Sequence, residues 1–96
     1  MRKNQPEPLR SIISNLLLSL GIDTKVKQHE AVVRWAKIVG PKISKVTEAK
    51  KVIDGVLFVE VKSNAWRSEL IFLKRDIITK IDETIGATII KDIRFI

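Results

Sequence analysis

The amino-acid sequence predicts a two-layer α+β domain in the order helix, helix, strand, strand, helix, strand, with a three-stranded mixed sheet covered by helices on one face. Three observations carry this expectation. Apolar residues recur at helical spacing over 9–20, 32–39 and 66–81. Asp54-Gly55 lies between an apolar pair and an alternating run, a strong short-range signal for a hairpin. A last apolar stretch, 88–95, follows the longest helical pattern. It therefore returns to the sheet by a helical crossover and runs parallel to the second strand. The order of the strands stays open at this point.

Each element has its own local reason. Residues 1–7 are polar and basic with Pro6 and read as a flexible leader; residues 8–96 read as a single domain. Pro8 suits the first turn of a helix, where its missing N–H has no partner to lose. Leu9, Ile12, Ile13, Leu16, Leu17 and Leu20 then form one stripe, and Gly21 caps the end. Leu18 lies on the opposite side and is expected to be solvent-exposed or bound to a partner. A second helix, capped by Asp23 or Thr24, reaches about Val39 and offers Val32, Val33, Trp35, Ala36 and Val39 to the core. Glu30 and Arg34 form a surface i,i+4 pair on it. Gly40-Pro41 stops it, and a helical turn follows around 42–46.

Val52 and Ile53 belong to the first strand, and Asp54-Gly55 is the type I′ turn. In the second strand, about 56–62, Leu57, Val59 and Val61 alternate with Phe58, Glu60 and Lys62. The first set faces the core and the second faces away. Ser63 caps the longest helix, 64–85, whose inner stripe is Trp66, Leu70, Leu73, Ile77 and Ile81. Ile71 and Phe72 fall off that stripe, and Gly86 ends the helix. The last strand, about 88–95, carries Ile89, Ile90, Ile93 and Phe95.

Composition narrows the function. The 96 residues contain 18 Lys+Arg, 11 Asp+Glu, one His and no Cys, for a net charge of +7. One modest core fits this length. Without cysteine there is no thiolate nucleophile, disulfide or cysteine-ligated metal, and one histidine supplies neither a metal cluster nor a catalytic triad. No paired carboxylates, phosphate-binding glycine loop or nucleophile elbow is present. The chain is therefore expected to bind rather than catalyse, with no cofactor, no metal and no small-molecule substrate. The apolar run 9–20 is interrupted by Arg10, Ser11, Ser14, Asn15 and Ser19. It resembles neither a signal peptide nor a membrane span, which points to the cytoplasm and away from a membrane.

The excess positive charge favours a polyanion, and its distribution supplies candidate residues. Lys42, Lys45, Lys50 and Lys51 cluster from the Gly40-Pro41 step to the first strand. Lys62, Arg67, Lys74 and Arg75 lie at the end of the hairpin and along the long helix. Ser63 adds a hydroxyl beside the free N–H groups of that helix, a phosphate-binding arrangement. Trp35 and Trp66 lie on apolar stripes and read as core, as does Phe95. Leu18, Phe58, Ile71 and Phe72 are left as candidate protein contacts. His29, between Gln28 and Glu30, has no metal-ligand spacing around it.

Taken together, several steps resemble the DciA family of bacterial replicative-helicase loaders. Trp35 precedes Gly40-Pro41 as W-x-x-x-x-G-P. Gly55-Val56-Leu57-Phe58-Val59-Glu60-Val61 is similar to the family's G-x-L-x-V-x-V strand. Ser63 with Trp66-Arg67-Ser68-Glu69-Leu70 resembles its S-x-x-W-x-x-E-L helix start, Leu73-Lys74 continues that helix, and Ile93-Arg94-Phe95 resembles the closing strand. The resemblance implies a core similar to KH nucleic-acid-binding domains, contact with DNA through a basic surface, and contact with the replicative helicase through an apolar patch. The G-x-x-G phosphate clamp of an ordinary KH domain is missing. Longer members carry a disordered extension, and its functions are not carried over. Two other readings share the same residues: an RNA-binding KH-like module acting near the translation machinery, and a protein-only interaction domain.

Overall fold

A computed structural model describes Ile12 and residues 22–96. The leader, the helix expected over 8–20 apart from Ile12, its Gly21 cap, and the candidate contact Leu18 lie outside the described residues. The elements are α1 (Ile22–Val33), α2 (Trp35–Val39), α3 (Pro41–Ser44), β1 (Thr47–Ile53), β2 (Val56–Val61), α4 (Asn64–Ile85) and β3 (Asp92–Phe95). The three strands form one sheet in the order β1-β2-β3. β1 pairs with β2 antiparallel and β2 pairs with β3 parallel. The mixed sheet, with an antiparallel hairpin and a last strand parallel to β2, and the α+β order agree with expectation, and the architecture is consistent with a small KH-like domain.

The hairpin follows from its turn. Asp54 and Gly55 both take positive φ, 52° and 80°, the geometry a type I′ turn requires. Strand alternation then sends Leu57, Val59 and Val61 into the core. Across the antiparallel pair the register slips between Ala49 and Lys51, so Lys50 is the extra residue of a β-bulge. Thr47, Ala49 and Val52 accordingly turn inward, while Glu48, Lys51 and Ile53 are exposed.

Helix α4 is fixed at both ends. The Ser63 hydroxyl accepts from the Trp66 N–H at 3.4 Å, and Gly86, at φ 88°, closes the C-terminus by donating its N–H to the Asp82 carbonyl. Leu70, Ile77 and Ile81 are buried against Leu57, Val59 and Ile93 of the sheet and against Ala31, Trp35 and Ile38 of α1 and α2. The fully buried Leu57, Leu70, Ile81 and Ile93 lie at the centre of this layer.

Several expectations are corrected. The chain is already helical at Ile22, so Asp23 lies in the first turn, where it pairs with Lys27 at 3.5 Å, and is not the cap. The second helix is divided at Arg34, whose φ and ψ are −96° and 7°. Its inner stripe is Ala31, Val32, Trp35, Ile38 and Val39, while Val33 and Ala36 are exposed. At 100° per residue Val33 is about 200° around the helix from Trp35. What anchors the stripe is Trp35: its indole N–H donates to Thr47 Oγ1 at 2.9 Å, and that hydroxyl donates to the Ile43 carbonyl at 2.8 Å. A buried indole needs such an acceptor.

The first strand begins earlier than expected, at Thr47, which places Lys50 and Lys51 inside it. The last strand is shorter, covering only 92–95. Ile89 and Ile90 are buried, but their stretch of backbone bonds elsewhere. Ile89 N–H donates to Asp82 Oδ1 at 3.2 Å, the Ile89 carbonyl accepts from Gln28 Nε2 at 3.2 Å, and Lys91 N–H donates to the Gly55 carbonyl at 2.8 Å. Trp66 and Phe95 pack against the core only half-buried, rather than within it.

Candidate functional site

The predicted basic residues separate into those occupied within the fold and those facing outward. Lys42 lies on α3, Lys45 follows it, and Lys62 follows β2. The Lys62 N–H donates to the Val46 carbonyl at 2.9 Å. That bond draws the end of the hairpin to the α3–β1 junction and brings Lys45 and Lys62 to one corner, beside the N-terminus of α4. All three side chains are exposed, and none forms an ion pair among the described residues. Lys42 and Ala65 also border a shared groove of ≈ 530 Å³ with Val39, Ile43, Trp66 and Leu73.

Arg67 and Lys74 are held by the domain itself. The Arg67 guanidinium donates to Asn64 Oδ1, to the Val61 carbonyl at 3.1 Å and to the Ile96 carbonyl at 3.4 Å. It ties the start of α4 to the ends of β2 and of the last strand. Lys74 Nζ lies 3.1 Å from Asp92 Oδ1, joining α4 to β3. The hydrogen bond from Lys74 holds the Asp92 carboxyl below the usual carboxylate range, against a smaller opposing effect of burial. Ser63 is engaged as the α4 cap, and Arg75 is exposed.

Lys50 is also occupied. From the bulge its ammonium reaches Glu48 at 3.2 Å and Glu60 at 3.5 Å, two carboxylates directly opposite each other across the β1–β2 pair. The hydrogen bond to Glu48 is the largest cause raising the Lys50 pKa. One cation thus bridges what would otherwise be a repulsive cross-strand pair. Lys51, next in sequence, instead places its Nζ 5.8 Å from the Phe58 ring centroid, so Phe58 lies beneath a cation on the face that the described helices leave uncovered. The domain brings Lys42, Lys45 and Lys62 together and sets Lys50 and Lys51 apart from them on the sheet.

Two basic residues join these surfaces without having been singled out in the sequence. Arg94 is the β3 partner of Phe58 and is exposed. The alternation Ile93-in, Arg94-out was the available signal, but its neighbour depends on the parallel register. Lys91 borders a hollow of ≈ 560 Å³ with Ile71, Phe72, Arg75 and Ile78. In that hollow Phe72 is 85% exposed and Ile71 55%, an apolar patch edged by cations. Among the described residues no group of three or more His, Cys, Asp or Glu could hold a metal ion, and no helix is long and apolar enough to cross a membrane.

The family model described as Dna[CI] antecedent, DciA, matches residues 8–95. The chain belongs to the DciA family. It is similar to a UPF0232 protein of Rhodococcus jostii (strain RHA1), 28% identical over 89 residues, which cover 93% of this chain and 47% of the relative. A UPF0232 protein of Corynebacterium glutamicum (strain R) is 28% identical over 88 residues, 92% of this chain and 49% of its own. A UPF0232 protein of Mycobacterium tuberculosis (strain ATCC 25618 / H37Rv) is 25% identical over 89 residues, 93% and 48%. The chain spans about half the length of the curated DciA-family relatives it matches. The DciA match runs through the hairpin, the long helix and the closing strand, the elements on which the basic and apolar surfaces stand.

Proposed function

We propose that this domain is a nucleic-acid-binding adaptor of the helicase-loader type, holding DNA at the corner formed by Lys42, Lys45 and Lys62 and the replicative helicase at the Ile71–Phe72 patch. The observation that carries the first half is the convergence of these three exposed, unpaired lysines, among the described residues, beside the α4 N-terminus. Phosphates gain from both the ammonium charges and the helix dipole. Ser63 and Arg67 shape the corner: one ends the helix and the other fastens it to the strands. Arg75 extends positive charge along α4 and Lys51 extends it across the sheet, while Lys74 and Lys50 are engaged by carboxylates of the domain. DciA membership supports the helicase half, with Phe72 and Ile71 as the exposed apolar residues available for it.

The test is a salt series. If four to six phosphates are neutralised, log affinity falls against log salt with a slope of roughly −3 to −5. Replacing Lys42, Lys45 and Lys62 together by Ala should reduce the slope by about 2 to 3. Binding without salt dependence would refute the phosphate reading. Structured RNA competing better than DNA would move the function to the RNA-binding alternative. On the protein side, Phe72→Ala should weaken capture of the helicase while the circular-dichroism spectrum stays that of the parent; loss of the spectrum would place Phe72 in the core instead.

A further inference from the structure

The geometry points to a second feature of the nucleic-acid site: we propose that the open face of the sheet stacks an unpaired base of single-stranded DNA on the Phe58 ring, with Lys51 and Arg94 contacting the phosphates on either side. This rests on the nucleic-acid reading above and adds to it the strand state of the ligand and the residue that senses it.

Phe58 occupies the central strand. Its register neighbours are Lys51 on β1 and Arg94 on β3, so three side chains form a row across the sheet, each about 5 Å from the next at Cβ. The flanking residues of β2, Leu57 and Val59, are fully buried toward the helices. Alternation therefore puts the Phe58 ring on the side that the described helices do not cover. The ring is half-buried while both cations are exposed. Lys51 Nζ, 5.8 Å from the centroid, is within cation–π range and can turn outward to a phosphate.

Charge complementarity selects the occupant. The carboxylates nearest this row already have cations: Glu48 and Glu60 share Lys50, and Asp92 is paired with Lys74. Lys51 and Arg94 have no ion pair among the described residues. The row therefore presents net positive charge on both sides of an aromatic face. A protein partner would meet one ring between two cations, with Val56 along β2 and Ile53 opposite it as the apolar neighbours. A nucleic-acid strand meets what it needs, a π-face for a base and cations spaced for its backbone. Duplex DNA has its base faces closed within the stack, so only a single strand can use the ring.

Fluorescence anisotropy with a labelled oligothymidylate and a labelled duplex tests this on the full chain. Phe58→Ala should weaken oligothymidylate binding by about ten-fold or more, the effect of losing one stacked base, and leave duplex binding unchanged. Phe58→Leu, which keeps apolar bulk without the π-face, should lose affinity similarly, and Phe58→Trp should retain or gain it. The pair Leu and Trp separates stacking from any effect on folding. A photo-activated 5-bromouracil strand should crosslink within β2. Unchanged oligothymidylate binding by Phe58→Leu, with the lysine-corner variant still impaired, would overturn the stacking platform alone. A parent chain that binds neither strand form would overturn the nucleic-acid reading and the platform with it. Phe58-dependent binding of oligouridylate but not oligothymidylate would overturn the assignment to DNA.

Discussion

Two faces of one strand divide the labour of this domain. On its inner side β2 contributes Leu57, Val59 and Val61, all buried. Its outer side carries Val56, Phe58 and Glu60, then Lys62, with Lys51 and Arg94 beside Phe58. The inner residues have packed neighbours to satisfy, so their shape is constrained by the fold. Among the described residues, the outer side chains meet cross-strand partners rather than a packed layer. The contrast teaches that the alternation of a strand can sort core packing and surface chemistry within the same six residues.

The most severe way to break that contrast is to truncate the inner side. Leu57→Ala should cost about 2–5 kcal/mol of stability, read from the urea midpoint, because Leu57 is fully buried and its removal leaves a cavity. A loss below about 1 kcal/mol would mean that the two faces are energetically alike. A smaller effect is expected at the junction between strand and helix. Ser63→Ala should cost about 1 kcal/mol by removing the α4 cap, and a decrease in DNA affinity at fully folded conditions would show that the hydroxyl also contacts phosphate.

The smallest effect concerns the edge. Asp92 has its pKa lowered by Lys74, so its contribution is present above the unfolded value near 3.9 and is lost as pH falls through the lower folded value. Lys74→Met should therefore flatten the acid limb of the stability–pH curve below about pH 4, by about 0.5 kcal/mol for so exposed a pair.

Much of this arrangement was legible in the sequence because its causes are local. Asp54-Gly55 specified a turn, Ser63 and Gly86 bounded α4, and alternation sorted β2 into its two sides. The off-stripe position of Phe72 likewise announced its exposure. The rest depended on distant partners. Val33 was placed inward by hydropathy, whereas the stripe through Trp35 is set by a hydrogen bond to Thr47. Ile89 and Ile90 read as strand because they are apolar, yet the groups bonding that backbone come from Asp82, Gln28 and Gly55. The nine basic and polar site residues could be counted in sequence, but not sorted. The partner of Lys50 includes Glu60 across the hairpin, and Arg67 reaches a carbonyl twenty-nine positions away. Arg94 could be assigned an outward side, but its place beside Phe58 arises only from the parallel pairing.

The bond from Lys91 N–H to the Gly55 carbonyl has a consequence for how the chain assembles. Its acceptor exists in the right orientation only once the turn at 54–55 has formed, an event among near neighbours that takes microseconds. The parallel strand, separated from β2 by the whole of α4, must close a far longer loop and comes later. The tip of the hairpin thus acts as a stop against which the returning chain is indexed. With Lys91 seated on Gly55, Asp92 meets Val56 and Arg94 meets Phe58; a slip of one residue would bring Ile93 outward and leave the aromatic row without its second cation.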